Sequence, residues 1–379
     1  MTLPLEGIRV ISSAHQYPGP YCTMLLGDLG AEIIKVERPV FGDPVRILPG
    51  FFESINRNKK SLTLDFKKPE SRDILRRLVE RSDVLTEGFR PGVAAHLGLD
   101  YETLQKINPR LICCSISGYG QKGPYHSLPG HDLNYVAMSG MLGCFRDSEG
   151  NFVKPGIEIG DLSSGMFAAI GIMAALAARE KTGHGQFVDV SMFDGLVSWM
   201  STILGSHFAK ETFHVEDDAG YGIFTASDGK PFTLGIAHEI WFWDRLCDVI
   251  GLETLKGLDA IERRVRRDEL VPKLRDVFSR KTRQEWIRIL LDADLPVAPV
   301  KTVEEVIQDP QVVFREMIQH KTLRPDVPSL QVDFPVKLSD TPARIRMPPP
   351  KLGEHNSEIL QWLGYSPAQI EQFGRQGVI

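Results

Sequence analysis

The sequence predicts an α/β protein with a parallel, doubly wound sheet and a second, smaller α+β domain. Three observations predict it. The chain opens on a βαβ unit, strand and helix signals then alternate through its first half, and 379 residues with 42% hydrophobic content exceed one ordinary domain while sufficing for a sizeable core.

The opening unit reads Gly7-Ile-Arg-Val-Ile11 as a strand, Ser12-Ser-Ala-His15-Gln-Tyr-Pro18-Gly19-Pro20 as a turn, 21–30 as a helix ending at Gly30, and Glu32-Ile-Ile-Lys-Val36 as a second strand. The turn is Rossmann-like in position but carries prolines where a G-x-G-x-x-G phosphate cradle needs glycine, which argues against a nicotinamide site. A Gly/Pro-rich connection follows to Phe52, then Asn56-Arg57-Asn58-Lys59-Lys60, whose cations read either as a solvated loop or as a polyphosphate clamp. Strand-like Ser61-Leu-Thr-Leu-Asp65, a helix over 71–81, strand Asp83-Val-Leu-Thr-Glu87, turn Gly88-Phe-Arg90-Pro91-Gly92, a helix stopping at Gly98 and strand Leu111-Ile-Cys-Cys-Ser-Ile116 continue the alternation.

A net charge of −5 and a pI near 6.1 argue against a general nucleic-acid or anionic-membrane binder. Five cysteines, odd in number and without C-x-x-C spacing, suggest neither a disulfide framework nor a zinc site, and the cytoplasm is the expected compartment. Residues 1–7 carry no signal-peptide pattern, and the apolar run over 162–178 is read as core, not as a membrane span.

That run follows Pro155-Gly-Ile-Glu-Ile-Gly-Asp161, which sets one carboxylate among glycines at the mouth of a buried helix. Asp161 reads as a helix cap, or as a nucleophile where Gly156, Gly160 and Gly165 let a ligand approach the backbone. Downstream, 183–186 is a turn, 187–190 a strand and 193–205 a helix, before a polar, acidic stretch near 209–220. Segments 221–225 and 231–235 read as a hairpin around Asp228-Gly229. Helices are expected over 239–249, 264–278, 283–293, 303–308, 310–317 and 357–363; Arg263 to Arg267 reads as a solvated face, 294–300 as a loop, and the proline-rich stretch after Ser329 as an extended return.

Five ordered motifs, Val36-Glu-Arg-Pro39, Arg57-Asn-Lys-Lys-Ser61, Gly88-Phe-Arg-Pro-Gly92, Ser115-Ile-Ser-Gly118-Tyr-Gly120 with Gly130-His131-Asp132-Leu-Asn134-Tyr135, and Gly160-Asp161, resemble the class III CoA-transferase family, whose superfamily includes the 2-methylacyl-CoA racemases. The resemblance implies a Rossmann-like large domain made from both chain ends (1–205 and 326–379), a linker over 206–220, a smaller inserted domain over 221–325, and a homodimer of interlocked subunits. It implies CoA transfer between an acyl-CoA and a small free carboxylic acid through an aspartyl-CoA thioester on Asp161, with no tightly bound cofactor and no metal. By the same resemblance Arg38, Arg57, Leu64, Lys67, Phe89 and Arg90 contact CoA, and His96 stands where some members carry a phosphate-binding arginine. The rival implied activity is racemisation of a 2-methylacyl-CoA by His131 and Asp161, with Asp132 orienting the imidazole and Glu239 matching a downstream glutamate.

Overall fold

Six parallel strands carry the larger part of the chain in the computed structural model, which describes residues 2–147, 149–211, 218–324 and 327–379, without the side chains of 320–324 and 327–329. In chain order the first part comprises β1 (Arg9–Ser12), α1 (Pro18–Asp28), β2 (Glu32–Glu37), α2 (Pro49–Ile55), β3 (Lys59–Thr63), α3 (Ser71–Glu80), β4 (Val84–Glu87), α4 (Val93–Leu97), α5 (Tyr101–Leu104), β5 (Ile112–Ser117), α6 (Asp132–Met138), α7 (Ile159–Thr182), β6 (Phe187–Ser191) and α8 (Met192–Trp199). The strands lie in the order β3-β2-β1-β4-β5-β6, so the winding direction reverses at β1. Val10 of β1 pairs with Ile33 of β2 on one side and Val84 of β4 on the other.

Both sheet faces are covered, as a parallel sheet requires. On one face Ile11, Ile34, Leu62 and Leu85 pack with the α3 stripe Ile74, Leu75, Leu78 and Val79. On the other, Val10, Ile33 and Ile116 pack with Cys22, Leu25 and Leu26 of α1 and with Ala168, Ala169, Ile172 and Ala175 of α7. Small residues on the inner side of α7 bring its backbone close; an added Cβ at Gly165 would stand 2.7 Å from the Pro18 carbonyl. The helix is longer than the sequence suggests. It starts at Ile159 and ends at Thr182, followed by Gly183, whose φ of +77° supplies the left-handed terminating residue. It is also the one described helix long and apolar enough to cross a membrane, with half of its most apolar stretch buried against protein.

Chain contacts divide the protein into two units, Met1–Ser201 with Phe314–Ile379, and Thr202–Val313. The linker expected over 206–220 lies in part outside the described residues. The second unit holds most of α9 (Ser201–Phe208), the hairpin β7 (Tyr221–Thr225) and β8 (Pro231–Gly235), α10 (Ile240–Ile250), α11 (Ala260–Val265), α12 (Arg267–Phe278), α13 (Arg283–Asp292), β9 (Val297–Pro299), α14 (Val303–Ile307) and most of α15 (Pro310–Phe314). The ring of Phe278 meets Phe224, Phe232 and Trp286 edge-on, with centroids 4.9, 5.1 and 5.2 Å away, and this cluster centres the core.

Two expectations are corrected here. The 294–300 stretch is not a loop throughout, because Val297–Pro299 adds an edge strand to β8. Arg263 is not on a solvated face: it is fully buried and grips Asp218 through two nitrogens at 2.9 and 3.0 Å. The first unit is completed by β10 (Ile318–Arg324) and β11 (Val327–Val332), an antiparallel pair absent from the sequence reading, and by α16 (Asn356–Trp362) and α17 (Pro367–Arg375). Ile359, Leu360, Leu363 and Ile370 from these last helices seal the α3 side of the sheet.

Candidate active site

The loops leaving the carboxyl ends of β1, β4 and β5 meet the first turns of α6 and α7 around a cavity of about 640 Å³. Because the strand order reverses at β1, this is the crevice that an open parallel sheet leaves for a ligand. Its wall comes wholly from the first unit. It includes His15 and Gln16 after β1, Phe89 and Arg90 after β4, Ser117 and Gly118 at the end of β5, His131 and Tyr135 of the α6 region, and Asp161 of α7.

Asp161 is the third residue of α7 and is not its cap. The capping is done by Asp132, the first residue of α6, whose Oδ1 accepts from the amides of Gly160 at 2.6 Å and Asp161 at 3.2 Å. Gly160 makes this possible, since a Cβ there would stand 3.0 Å from that oxygen. The glycines beside Asp161 therefore serve two ends: at Gly160 and Gly165 the missing side chains admit other parts of the protein, while Gly156 borders open space. Ser163 and Ser164 turn their hydroxyls onto the carbonyls of Gly160 and Asp161, both at 3.0 Å. The Asp161 carboxyl is pushed up from 3.8 to about 7, first by burial and then by the charges of Asp132 and Glu158. The positive end of α7 works in the opposite direction, but burial and two acidic neighbours outweigh it.

His131 and Asp161 thus share one cavity, with Phe89 and Arg90 on its wall. His131 precedes α6 and its amide donates to Asn134 Oδ1 at 3.0 Å. The expected orientation of its ring by Asp132 is replaced by the bonds from Asp132 to Gly160 and Asp161. Tyr135 donates to the Gly130 carbonyl at 2.6 Å, and burial first, then Tyr119 and Asp161, push its phenol up to about 12.

The remaining residues singled out in the sequence lie away from this wall. Arg38 and Lys67 are exposed just beyond the carboxyl ends of β2 and β3. Between them in sequence, Leu64 is buried in the core, and its N–H donates to the Glu37 carbonyl at 2.8 Å. Arg57 is corrected outright. It is 1% exposed, its Nη2 lies 2.6 Å from Asp28 Oδ2 and its Nη1 3.2 Å from Gln331 Oε1, leaving no fork for a phosphate. Lys59 is equally buried, donating to the carbonyls of Pro20 and Ile55 at 2.8 Å, so Arg57 and Lys59 form neither a solvated loop nor a clamp but an internal anchor, while part-exposed Lys60 pairs with Glu32 and Glu358. Glu239 sits in the second unit, where its carboxylate accepts from the Ala237 amide at 3.0 Å.

A buried network that no sequence motif marks lies behind His15. Lys35 Nζ is 2.7 Å from Asp43 Oδ2, and the same carboxylate accepts from the amides of Gln16 (3.0 Å) and Val45 (3.1 Å). Only a lysine inside an otherwise apolar strand signals such a partner in advance.

Among the described residues no group of three or more His, Cys, Asp or Glu is placed to hold a metal ion. The pattern of the "CoA-transferase family III" matches residues 5–356. The chain is similar to succinyl-CoA:glutarate CoA-transferase of Mus musculus, 34% identical over 99% of this chain and 90% of that protein. It is likewise similar to alpha-methylacyl-CoA racemase of Homo sapiens, 34% identical over 100% and 98% of the two chains. Among solved structures it is similar to a CaiB/BaiF family protein from Brucella suis, with a TM-score of 0.85, 30% identity, and coverage of 96% of this chain and 100% of that one.

Proposed function

The chain belongs to the family III CoA-transferases, and from that premise we propose that it moves CoA from an acyl-CoA to a free carboxylic acid with Asp161 as the covalent nucleophile. The observation that carries this reading is the position of Asp161: a carboxylate in the first turn of α7, facing a sheet-end cavity large enough for the reacting part of a thioester. The Asp161 carboxylate attacks the thioester carbonyl and expels the CoA thiolate, leaving an acyl–aspartyl anhydride. The thiolate then attacks the aspartyl carbonyl, releasing the first acid and leaving an aspartyl-CoA thioester. The incoming carboxylate attacks that thioester to give a second anhydride, and the returning thiolate cleaves it at the new acyl group, restoring Asp161.

Neither anhydride survives contact with water, so the buried setting of Asp161 matters as much as its nucleophilicity. The Gly160 amide is already bonded to Asp132, so it is not free to stabilise an oxyanion. For CoA we propose a path over the carboxyl ends of the strands. Its phosphate-bearing end meets Arg38 and Lys67 beyond β2 and β3, and its thiol end reaches the cavity past Phe89 and Arg90. Relatives named for succinate and glutarate, such as the mouse protein, support a small dicarboxylic acid as a substrate.

Met166, Ile170, Met173 and Trp199 form an exposed apolar face on α7 and α8, which supports the interlocked homodimer as part of the proposal. The cysteine pattern supports the cytoplasm as its place. One observation favours a second reading, racemisation of a 2-methylacyl-CoA: His131 lines the same cavity as Asp161, and a carboxyl near 7 suits proton transfer. Transfer from succinyl-CoA to free glutarate, followed with wild type, Asp161→Asn and His131→Ala, separates the two. A transferase loses turnover with the first substitution and keeps much of it with the second; a racemase exchanges the α-proton of a 2-methylacyl-CoA in D2O and loses that exchange with either.

A further inference from the structure

The loop between β1 and α1 is folded back on itself so tightly that a Cβ at Gly19 would stand 2.1 Å from that of Ala14. Gln16, within this loop, takes φ +65°, a left-handed conformation that a side chain disfavours. What holds it there is Asp43, fully buried, whose two oxygens take the Gln16 amide at 3.0 and 3.2 Å while Lys35 anchors Oδ2. Burial works to protonate Asp43, yet His15, Lys35 and the Gln16 amide hold its carboxyl well below the usual carboxylate range, so a permanent anion sits behind the loop.

The residue this arrangement presents is His15. Its Nδ1 is buried, lacks a hydrogen-bond partner, and lies 3.7 Å from Asp43 Oδ2, while the ring lines the cavity that holds Asp161. The second turn of α7 is pressed against the end of this loop, since a Cβ at Gly165 would meet the Pro18 carbonyl at 2.7 Å. An imidazole on a cavity wall, with a fixed carboxylate beside its buried Nδ1 and Nε2 as its other nitrogen, is an arrangement for moving a proton.

We propose that His15 is a catalytic residue of the transfer, giving a proton to the CoA sulfur as the thioester breaks and taking it back when the sulfur returns; this rests on the transferase reading above. In the first step the Asp161 carboxylate adds to the thioester carbonyl. The C–S bond then breaks with its electron pair going to sulfur, which takes the Nε2 proton, leaving neutral His15, free CoA thiol and the anhydride. In the return step Nε2 removes the thiol proton, sulfur attacks the aspartyl carbonyl, and the first acid leaves as its carboxylate. No oxidant or further reactant is needed. The charged or titratable groups near His15 are Asp43 with Lys35 behind it, and those lining the same cavity: Asp161, Arg90, His126, His131 and Tyr135.

The test compares wild type, His15→Gln, His15→Ala and Asp161→Asn, with succinyl-CoA as donor and free glutarate as acceptor, across pH. The expected result is a loss in kcat of roughly 10²-fold or more for His15→Gln, loss of the limb that falls at high pH, and partial recovery of His15→Ala by added imidazole. The wild-type rate also falls in D2O beyond the change in viscosity, a readout independent of whether any variant folds. Wild-type kcat and pH profile in His15→Gln, no solvent isotope effect, or folded variants that imidazole does not rescue would each overturn the role of His15. An Asp161→Asn protein that still transfers CoA would instead overturn the reading beneath it.

Discussion

Replacing Asp161 by Asn should stabilise the protein, and by an amount that depends on pH. Raising a carboxyl from 3.8 to about 7 means that the folded state binds a proton the unfolded chain has released. The sign follows: below pH 4 both states are protonated and Asp161 costs nothing. Stability then falls as pH rises toward 7, and above 7 the full penalty of a charged, buried carboxylate is present. At 1.36 kcal/mol for each step of one in pKa, that penalty is on the order of 4 kcal/mol, of which the helix end recovers about 0.3–1. Asn has nearly the same shape and no charge, so any cost of burying its amide is the same at every pH and drops out of the comparison. The assay is urea or thermal unfolding of both proteins from pH 4.5 to 9. Their stability curves should converge at the acid end and separate by several kcal/mol at pH 8, with the variant higher. Parallel curves, or a variant less stable at pH 8 than at pH 5 relative to wild type, would refute the claim that burial and like charge control Asp161.

Other outcomes follow from the same geometry. Asp132→Asn keeps an acceptor for the Gly160 amide but removes the charge beside Asp161, so the low-pH limb of acyl transfer should move to lower pH in a kcat profile. Asp28→Ala strands the buried Arg57 charge and should lower stability by about 3–5 kcal/mol in urea titration, without raising the KM for acyl-CoA in protein that still folds. Arg38→Ala and Lys67→Ala should do the reverse, raising that KM several-fold with unfolding midpoints unchanged. Gly165→Val forces the N-terminal part of α7 off the Pro18 carbonyl, with about 1–3 kcal/mol of destabilisation and a fall in kcat measured together. Ile170→Lys, on the exposed face of α7, should shift a dimer toward monomer in light scattering.

The sheet was legible because strand-like runs such as Glu32-Ile-Ile-Lys-Val36 and Leu111-Ile-Cys-Cys-Ser-Ile116 alternate with helix signals, and a parallel sheet buries such runs on both faces. Asp161 was legible because a carboxylate before seventeen uncharged residues stands out. The fate of the buried charges was not. Arg57, Lys59 and Arg263 read as surface residues because their partners Asp28, Ile55, Pro20 and Asp218 are supplied by packing, and the distance from Arg57 to Gln331 along the chain hides that contact. Asp132 looked like the partner of His131 because it is adjacent in sequence, yet the start of α6 aims its carboxylate at the amides of α7 instead. The edge strand Val297–Pro299 was hidden by its flanking prolines, which an edge position tolerates and a central strand does not. His15 was invisible for a different reason: its chemistry is made by Asp43, twenty-eight residues on, in a stretch that reads only as a Gly/Pro-rich connection.

The central claim is covalent catalysis by Asp161, and the measurement that tests it most directly is the intact mass of the protein after incubation with succinyl-CoA and no acceptor, with peptide mapping of any adduct. The account predicts a CoA thioester on Asp161 that free glutarate discharges and hydroxylamine cleaves, and no adduct in Asp161→Asn. Transfer of CoA to glutarate with the protein mass unchanged throughout, or undiminished transfer by Asp161→Asn, would contradict it.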